Sequence, residues 1–418
     1  MPSNLREIGS DAFRYCQALQ SIEIPATVGT IGNYAFYGCT VLKEITIPEG
    51  VETIDYKTFY GCSSLVRITL SSTLATIGSG AFIGCTSLKR VDISDIVNWC
   101  KINFGYDHRN NPLYVANAAL YLNGSVVTEI DAQTMGIESF SKYCFTGCSS
   151  ITSIYANRKE VGNSAFEGCP NLEKVSGLSK IGNYAFRDCK KLQTISSLSN
   201  ASIGTSAFEG CTALTSISHS SSSYTEYVGS RAFYGCEKLA TISLQDGKFA
   251  NTISDSAFEG CTSLTQIVVG ARNNAAMSVG TKAFKGCTAL KSVNFNYGGY
   301  QISIKDSAFE GCHTLSTLTI PSSISSGLYI SSRAFYGCVA LADVDLGAYI
   351  KSIGENAFYR IAGKLTITCR AYTLPTGATQ MFPISQTVDL TIKVPSKYID
   401  AYKAAQYWSD YADYIVGY

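Results

Sequence analysis

The 418-residue chain has little charge: Asp, Glu, Lys and Arg together make up 16% of it, and 33 Lys plus Arg offset 32 Asp plus Glu. That balance gives no electrostatic pull toward nucleic acid or an acidic membrane surface. Histidine is scarce, at three residues, and His108, His219 and His313 are far apart in sequence. No H-E-x-x-H, G-x-S-x-G, phosphate-binding G-x-x-x-x-G-K-[ST] or EF-hand-type loop is present. No apolar run approaches the roughly 18 residues of a membrane span. These absences argue against an enzyme, a metal centre and a cofactor, and none of the three is expected. No signal peptide is legible, because Ile8-Gly9-Ser10-Asp11-Ala12-Phe13 already lies inside a repeated phrase. A natural solenoid needs a polar cap on its first coil, so upstream residues, a secretion signal among them, are expected.

What the chain does have is repetition. The phrase A-F-x-G-C occurs as Ala35 to Cys39 and again as Ala232 to Cys236. Its phenylalanine falls at 13, 36, 59, 82, 145, 166, 186, 208, 233, 258, 284, 309, 335 and 358. Apart from one step of 63, the spacing is 20 to 26 residues, the period of a solenoid whose coils share one long core. The unit reads I-G-[SNTD]-x-A-F-x-G-C-x-x-L-x-x-I-x-[IL]. The Ser, Asn, Thr or Asp after the glycine predicts a helix cap, followed by one short helical turn carrying Ala and Phe. Glycine precedes cysteine in 11 of 13 copies, as a left-handed exit from that turn would require. A strand such as Leu42 to Ile47 follows, with its first, fourth and sixth residues turned inward. The strands stack into one parallel sheet.

The serial I-G-x-x-A-F-x-G-C-x-x-L-x-x-I units, Ile181 to Ile195 for example, resemble the BspA-type leucine-rich repeats of surface and secreted proteins from gut and oral anaerobes and some mucosal protozoa. The resemblance implies an α/β repeat solenoid. In it, a right-handed leucine-rich-repeat superhelix carries one parallel sheet on its concave face and short helical turns opposite. It also implies a cell-surface or secreted location, and a family that includes adhesins for host matrix proteins.

Thirteen of the 16 cysteines lie three residues after a repeat phenylalanine; Cys100, Cys144 and Cys369 are extra. Equivalent positions on stacked coils have parallel Cβ directions, which is poor disulfide geometry. Without C-x-x-C or clustered histidine, a zinc site does not follow either, and the column reads as small buried thiols.

The long step divides the chain into repeats over 1–93, an irregular segment over 94–139, repeats over 140–368 and a closing segment over 369–418. The irregular segment holds Trp99-Cys100-Lys101-Ile102-Asn103-Phe104, and Tyr121 to Val127 reads as a hairpin on Asn123-Gly124. Either it continues the core through Trp99, Phe104 and Tyr121, or it offers Tyr106, His108 and Arg109 as a contact loop. Both hold if core strands carry a projecting 105–111 loop. In the closing segment, Tyr398, Ala401, Tyr402, Ala405 and Trp408 share one face of a helix predicted over 397–410, as a cap on the last coil or as an aromatic sugar patch.

The outward strand residues form the candidate partner face: Glu44, Arg67, Arg90, Asp92, Tyr155 and Thr194, then Ser216, Thr241, Asp343 and Asp345. Glu44 and Arg67 are expected to pair as lateral neighbours. Asp343 and Asp345 are the one close carboxylate pair. A tyrosine series just after the phenylalanine (Tyr37, Tyr60, Tyr234, Tyr336, Tyr359) reads as turn packing that could also meet a partner. The expectation is a monomeric, non-enzymatic module for protein recognition, adhering to host matrix or to the surface of other cells. The alternatives are a structural spacer for another domain and a carbohydrate-binding module.

Overall fold

The computed structural model describes residues 1–199, 201–220, 225–243, 252–270, 276–296, 301–321, 324–385 and 387–418. The chain forms two compact units, Met1–Ser196 and Ser197–Tyr418. Each is a parallel β-solenoid with few helices.

Each regular coil contributes two short strands, so two parallel ladders run through each unit where one sheet was expected. In the first unit, Glu44–Thr46, Arg67–Thr69, Arg90–Ile93 and Ala119–Leu122 stack in register, with Ile45, Ile68, Val91 and Leu120 aligned. The second ladder is made by the I-G step: Thr53–Ile54 pairs with Thr76–Ile77, and Ser139–Phe140 with Glu160–Val161. In the second unit, Gln266–Gly270, Ser292–Asn296 and Thr317–Thr319 form the first kind of ladder. The other kind runs from Ala201–Ile203 to Ile350–Ile353. The inward positions are as expected: Leu42, Ile45 and Ile47 are all buried.

The A-F-x-G-C phrase is a run of tight turns, not the short helical turn expected. Ala35 N–H donates to Gly32 O at 3.3 Å, Tyr37 N–H to Tyr34 O at 3.0 Å and Cys39 N–H to Phe36 O at 3.2 Å. The intervening amides cross to the next coil: Tyr34 to Tyr56 O at 3.1 Å, Phe36 to Thr58 O at 2.9 Å and Gly38 to Tyr60 O at 2.8 Å. A helix would need those same amides for its own carbonyls. The alternation requires left-handed backbone at the residue before alanine (Tyr34, φ +58°) and at the glycine (Gly38, φ +69°). The expected cap residue also acts across coils. Asn33 Oδ1 accepts from Tyr56 N–H at 3.1 Å, Asn163 Oδ1 from Asn183 N–H at 2.9 Å and Asp255 Oδ1 from Thr281 N–H at 2.8 Å.

The phenylalanines form a stacked core. In the first unit Phe13, Phe36, Phe59 and Phe82 lie 5.3, 5.4 and 5.5 Å apart, centroid to centroid. In the second unit neighbouring rings from Phe208 to Phe358 are 5.1 to 5.3 Å apart and nearly parallel. That spacing falls in the favourable range for offset stacking and follows the strand repeat of about 4.8 Å. The column continues past the last A-F copy. Phe358 N–H donates to Met381 O at 2.9 Å, Gln380 takes φ +54°, and Phe382 stacks on Phe358 at 5.7 Å. Met381-Phe382 therefore stands in for Ala-Phe in a coil the repeat pattern does not announce.

The closing segment covers that ring. Trp408 lies 6.0 Å and Tyr411 5.2 Å from Phe382, and Trp408 Nε1 donates to Pro375 O at 3.0 Å. The helix expected over 397–410 is shorter, Ile399–Ala404, and ends at Ala405 with ψ 147°. A left-handed Tyr407 (φ +67°) then turns the chain toward the strand Ile415–Gly417, which pairs with Val388–Val394. Ala401 is exposed, so the expected five-residue face breaks up, while Tyr402, Trp408 and Tyr411 are each 1% exposed. Those three rings are core, not an open sugar patch.

Candidate interaction faces

In the first unit the strand face carries an ion network rather than separate charges. Asp92, expected to face outward, is 5% exposed. Arg90 holds it with two bonds, Nε to Oδ2 at 2.8 Å and Nη2 to Oδ1 at 2.6 Å, and Arg67 Nε reaches Oδ2 at 2.8 Å. Burial pushes the Asp92 carboxyl up, but the bonds from Arg90 and Arg67 outweigh it and hold the group below the usual range. The Arg90 guanidinium rests 3.8 Å from the Tyr121 ring centroid. Glu44 is the lateral neighbour of Arg67 but makes no ion pair among the described residues, since Arg67 turns to Asp92. Beside this network lie two open depressions. One is floored by Glu23, Glu44, Thr46 and Thr69; the other is bordered by Glu49, Asn123 and Gly124. The border is the expected hairpin: Tyr121 pairs antiparallel with Val126 across Asn123 (φ +49°) and Gly124 (φ +83°).

The irregular segment continues the core and also projects. Trp99 and Phe104 are each 1% exposed, whereas Tyr106 is 96% exposed. Tyr121, expected in the core, is only half-buried, because it lies beside Asp92 on the strand face under the Arg90 guanidinium. Arg109 is tied to Asp107 at 2.6 Å, and His108 packs edge-on to Tyr114 at 4.4 Å. The residues that make this possible are Asn110 and Asn111, which sequence reasoning missed. In regular coils the residue before alanine donates its N–H to the next coil's backbone, as Tyr34 does to Tyr56 O. Gly80 occupies that position, and its N–H finds Asn110 Oδ1 at 2.8 Å. On the far side, Asn111 Nδ2 donates to Tyr143 O at 2.7 Å and Cys144 O at 3.1 Å, and Trp99 Nε1 donates to Cys144 O at 2.9 Å. Side-chain amides and an indole thus replace the missing backbone ladder. The only signal in sequence was a pair of asparagines ahead of Pro112.

These coils match a family model described as a BspA type leucine rich repeat region, over residues 1–105, 114–192, 179–302, 251–376 and 277–402. The chain belongs to this family. No curated protein matches it. Among solved structures it is similar to a leucine-rich repeat protein from Bacteroides ovatus, at 24% identity over 99% of this chain and 88% of that one, with a TM-score of 0.54. That likeness bears on the fold. A leucine rich cell surface protein from Faecalibacterium prausnitzii is 25% identical over 76% of this chain and 85% of that one, with a TM-score of 0.36.

In this BspA-type chain the other expected residues are dispersed. Tyr155 is exposed on Ser153–Tyr155, flanked by Asp131 and Ser176, and Thr194 lies beside Lys174. In the second unit Ser216 and Thr241 are lateral partners. Asp345 is bound by Arg370 at 2.8 Å and accepts from Gly347 N–H, so it does not form a bare carboxylate pair with Asp343. Among the described residues no group of three or more His, Cys, Asp or Glu is placed to hold a metal, and no helix is long and apolar enough to cross a membrane. His219 Nε2 lies 2.7 Å from Thr225 Oγ1, a structural bond within one coil edge.

Proposed function

We propose that this BspA-type chain is a non-enzymatic recognition module, secreted or held at a bacterial cell surface, that binds a protein partner through its strand faces. The reading takes those faces as the concave side of a right-handed superhelix. The supporting observation is the first unit's face. Glu44, Thr46, Arg67 and Thr69 are presented from successive coils around two depressions, and a hairpin borders them. The Arg67–Asp92–Arg90 network fixes its side chains before any partner arrives, which lowers the ordering cost of association. A host extracellular matrix protein is the first partner class to test.

The experiment is surface plasmon resonance over immobilised fibronectin and fibrinogen at low and physiological salt. Saturable binding that survives salt and is weakened at least tenfold by Thr46→Trp or Thr69→Trp supports the proposal. Binding unchanged by both substitutions removes this face from it, and a flat response from folded protein removes these two partners.

A further inference from the structure

On the turn edge of the first unit the repeat breaks its own rule at an exposed place. The glycine before the repeat cysteine is replaced in the first copy by Tyr15, which still adopts φ +57°. A bulky residue in the left-handed region costs on the order of 1 kcal/mol, so the ring must be held by its surroundings. It lies over Gly38 of the next coil, where an added Cβ would sit 2.6 Å from Tyr15 Cδ1. It also meets Tyr37 edge-on at 5.3 Å. Tyr37 stacks on Tyr60 at 5.0 Å, and Tyr34 meets Tyr56 edge-on at 5.3 Å. Two cations are set among these rings. Arg14 lies 5.0 to 5.4 Å from three centroids, and Lys57 lies 5.0 and 5.3 Å from Tyr56 and Tyr60. Tyr15 is 55% and Tyr56 40% exposed.

The geometry points to this tyrosine–cation edge as a binding platform for an acidic saccharide chain. The backbone there has nothing to offer an extended peptide: Tyr15 N–H donates to Tyr37 O at 2.7 Å, Tyr34 N–H to Tyr56 O and Gly38 N–H to Tyr60 O. What remains is the exposed part of the Tyr15 and Tyr56 rings, with Arg14 and Lys57 beside them, and phenol hydroxyls. An aromatic face takes the apolar C–H side of a pyranose, and phenol hydroxyls take its hydroxyl groups. Asp11 is committed to Arg14 at 2.8 Å and Asp55 is half-buried. Lys57 makes no ion pair among the described residues, so a uronate carboxylate would complete it. The coils repeat at the scale of the Tyr37–Tyr60 spacing, 5.0 Å, so a polymer can run along several of them. This platform lies on the turn edge, apart from the strand face, and stands or falls independently of the protein-recognition proposal.

The test is isothermal titration calorimetry of the full chain with polygalacturonate, a neutral galactan and poly-glutamate. Tyr15→Gly restores the repeat's own residue and is expected to leave the melting temperature unchanged or raised. Polygalacturonate should bind saturably and more tightly than the galactan, and Tyr15→Gly and Lys57→Gln should each weaken it at least tenfold. Absence of saturable binding overturns the proposal, as does equal affinity in both variants. Equal binding of poly-glutamate would reduce the site to simple charge and overturn the saccharide assignment. A protein ligand lost in Tyr15→Gly without any polygalacturonate binding would do the same.

Discussion

The thiol of Cys62 donates to the carbonyl oxygen of Phe36, one coil back, at 3.2 Å. The same bond recurs from Cys39 to Phe13, Cys85 to Phe59, Cys261 to Phe233 and Cys312 to Phe284, at 3.0 to 3.2 Å. Each of those carbonyls also takes an N–H from its own coil, as Phe36 O does from Cys39. The cysteine column is thus a hydrogen-bonded ladder beside the phenylalanine stack, which explains a small donor at that position better than volume alone.

The ladder makes the fold sensitive to alkali. Burial pushes the Cys312 thiol up to about 12 from an ordinary value near 9. A thiol raised in the folded state stabilises the fold fully below the unfolded value, and the contribution is lost as pH rises toward the folded one. For Cys312, stability should therefore fall between pH 9 and 12, by about 1.4 kcal/mol per pH unit. Thermal unfolding at pH 8, 9 and 10 under reducing conditions measures the slope. Cys312→Ala should make it shallower while costing about 1 to 2 kcal/mol at pH 7. A melting temperature flat from pH 8 to 10 would contradict the ladder's role.

Asn111 carries the irregular coil. Its amide makes two bonds to carbonyls and accepts one from Leu113 N–H at 2.8 Å, with the residue fully buried. Asn111→Ala leaves those groups unpaired and should cost about 2 to 4 kcal/mol. Asn110→Ala should cost somewhat less, because it frees only Gly80 N–H and Phe104 O. Urea unfolding gives both numbers. Values under 0.5 kcal/mol for Asn111→Ala would mean that water replaces the amide without loss.

Coil order in the second unit is marked by charge. Arg231 pairs with Glu209 of the preceding coil at 2.7 Å and lies 3.7 Å over its own Tyr234; Arg333 pairs with Glu310 at 2.9 Å and lies 3.9 Å over Tyr336. Burial raises the Glu310 carboxyl, but bonds from Arg333 and Ser307 and the charge of Lys285 override it and bring the group to about 2. A depressed carboxyl stabilises the fold above its unfolded value near 4.5, and the effect disappears as pH falls toward 2. Because Arg333 is 41% exposed, solvent screening keeps the pair to about 1 to 2 kcal/mol. Glu310→Gln should lose that amount at pH 7 and nothing near pH 2. A double-mutant cycle with Arg333→Gln at both pH values isolates it.

The regular coils were legible because burial imposes a strict period: Leu42, Ile45 and Phe36 recur at fixed offsets and point inward as expected. The tight turns were not, because Ser, Asn and Asp suit a helix cap and an Asx-type bond equally well; the choice was made by neighbouring coils, whose carbonyls took the amides of Tyr34, Phe36 and Gly38. The Glu44–Arg67 pairing failed for a similar reason. Register placed the two side by side, but the buried carboxylate of Asp92 offered Arg67 a stronger partner. Phe382 escaped notice because Met381 replaces the alanine that marks every other copy but two, Thr58-Phe59 and Cys144-Phe145.

Trp408 should control the C-terminal end of the second unit. Its indole is 1% exposed, bonds Pro375 O at 3.0 Å and lies 5.0 Å from Tyr402, edge-on. Without it the Phe382 ring loses one of the two rings that cover it, and the carbonyl of Pro375 loses its donor. Trp408→Ala should cost about 3 to 5 kcal/mol locally, by the usual price of a large buried aromatic. In a solenoid each coil leans mainly on its neighbours, so the loss should be graded along the chain rather than global. Hydrogen exchange of the variant should rise most at Phe358 N–H, which bonds Met381 O, less at Phe335 N–H and least near Phe208. A uniform rise across the second unit would instead mean that its coils unfold as one cooperative block, and that the cap acts on all of them at once.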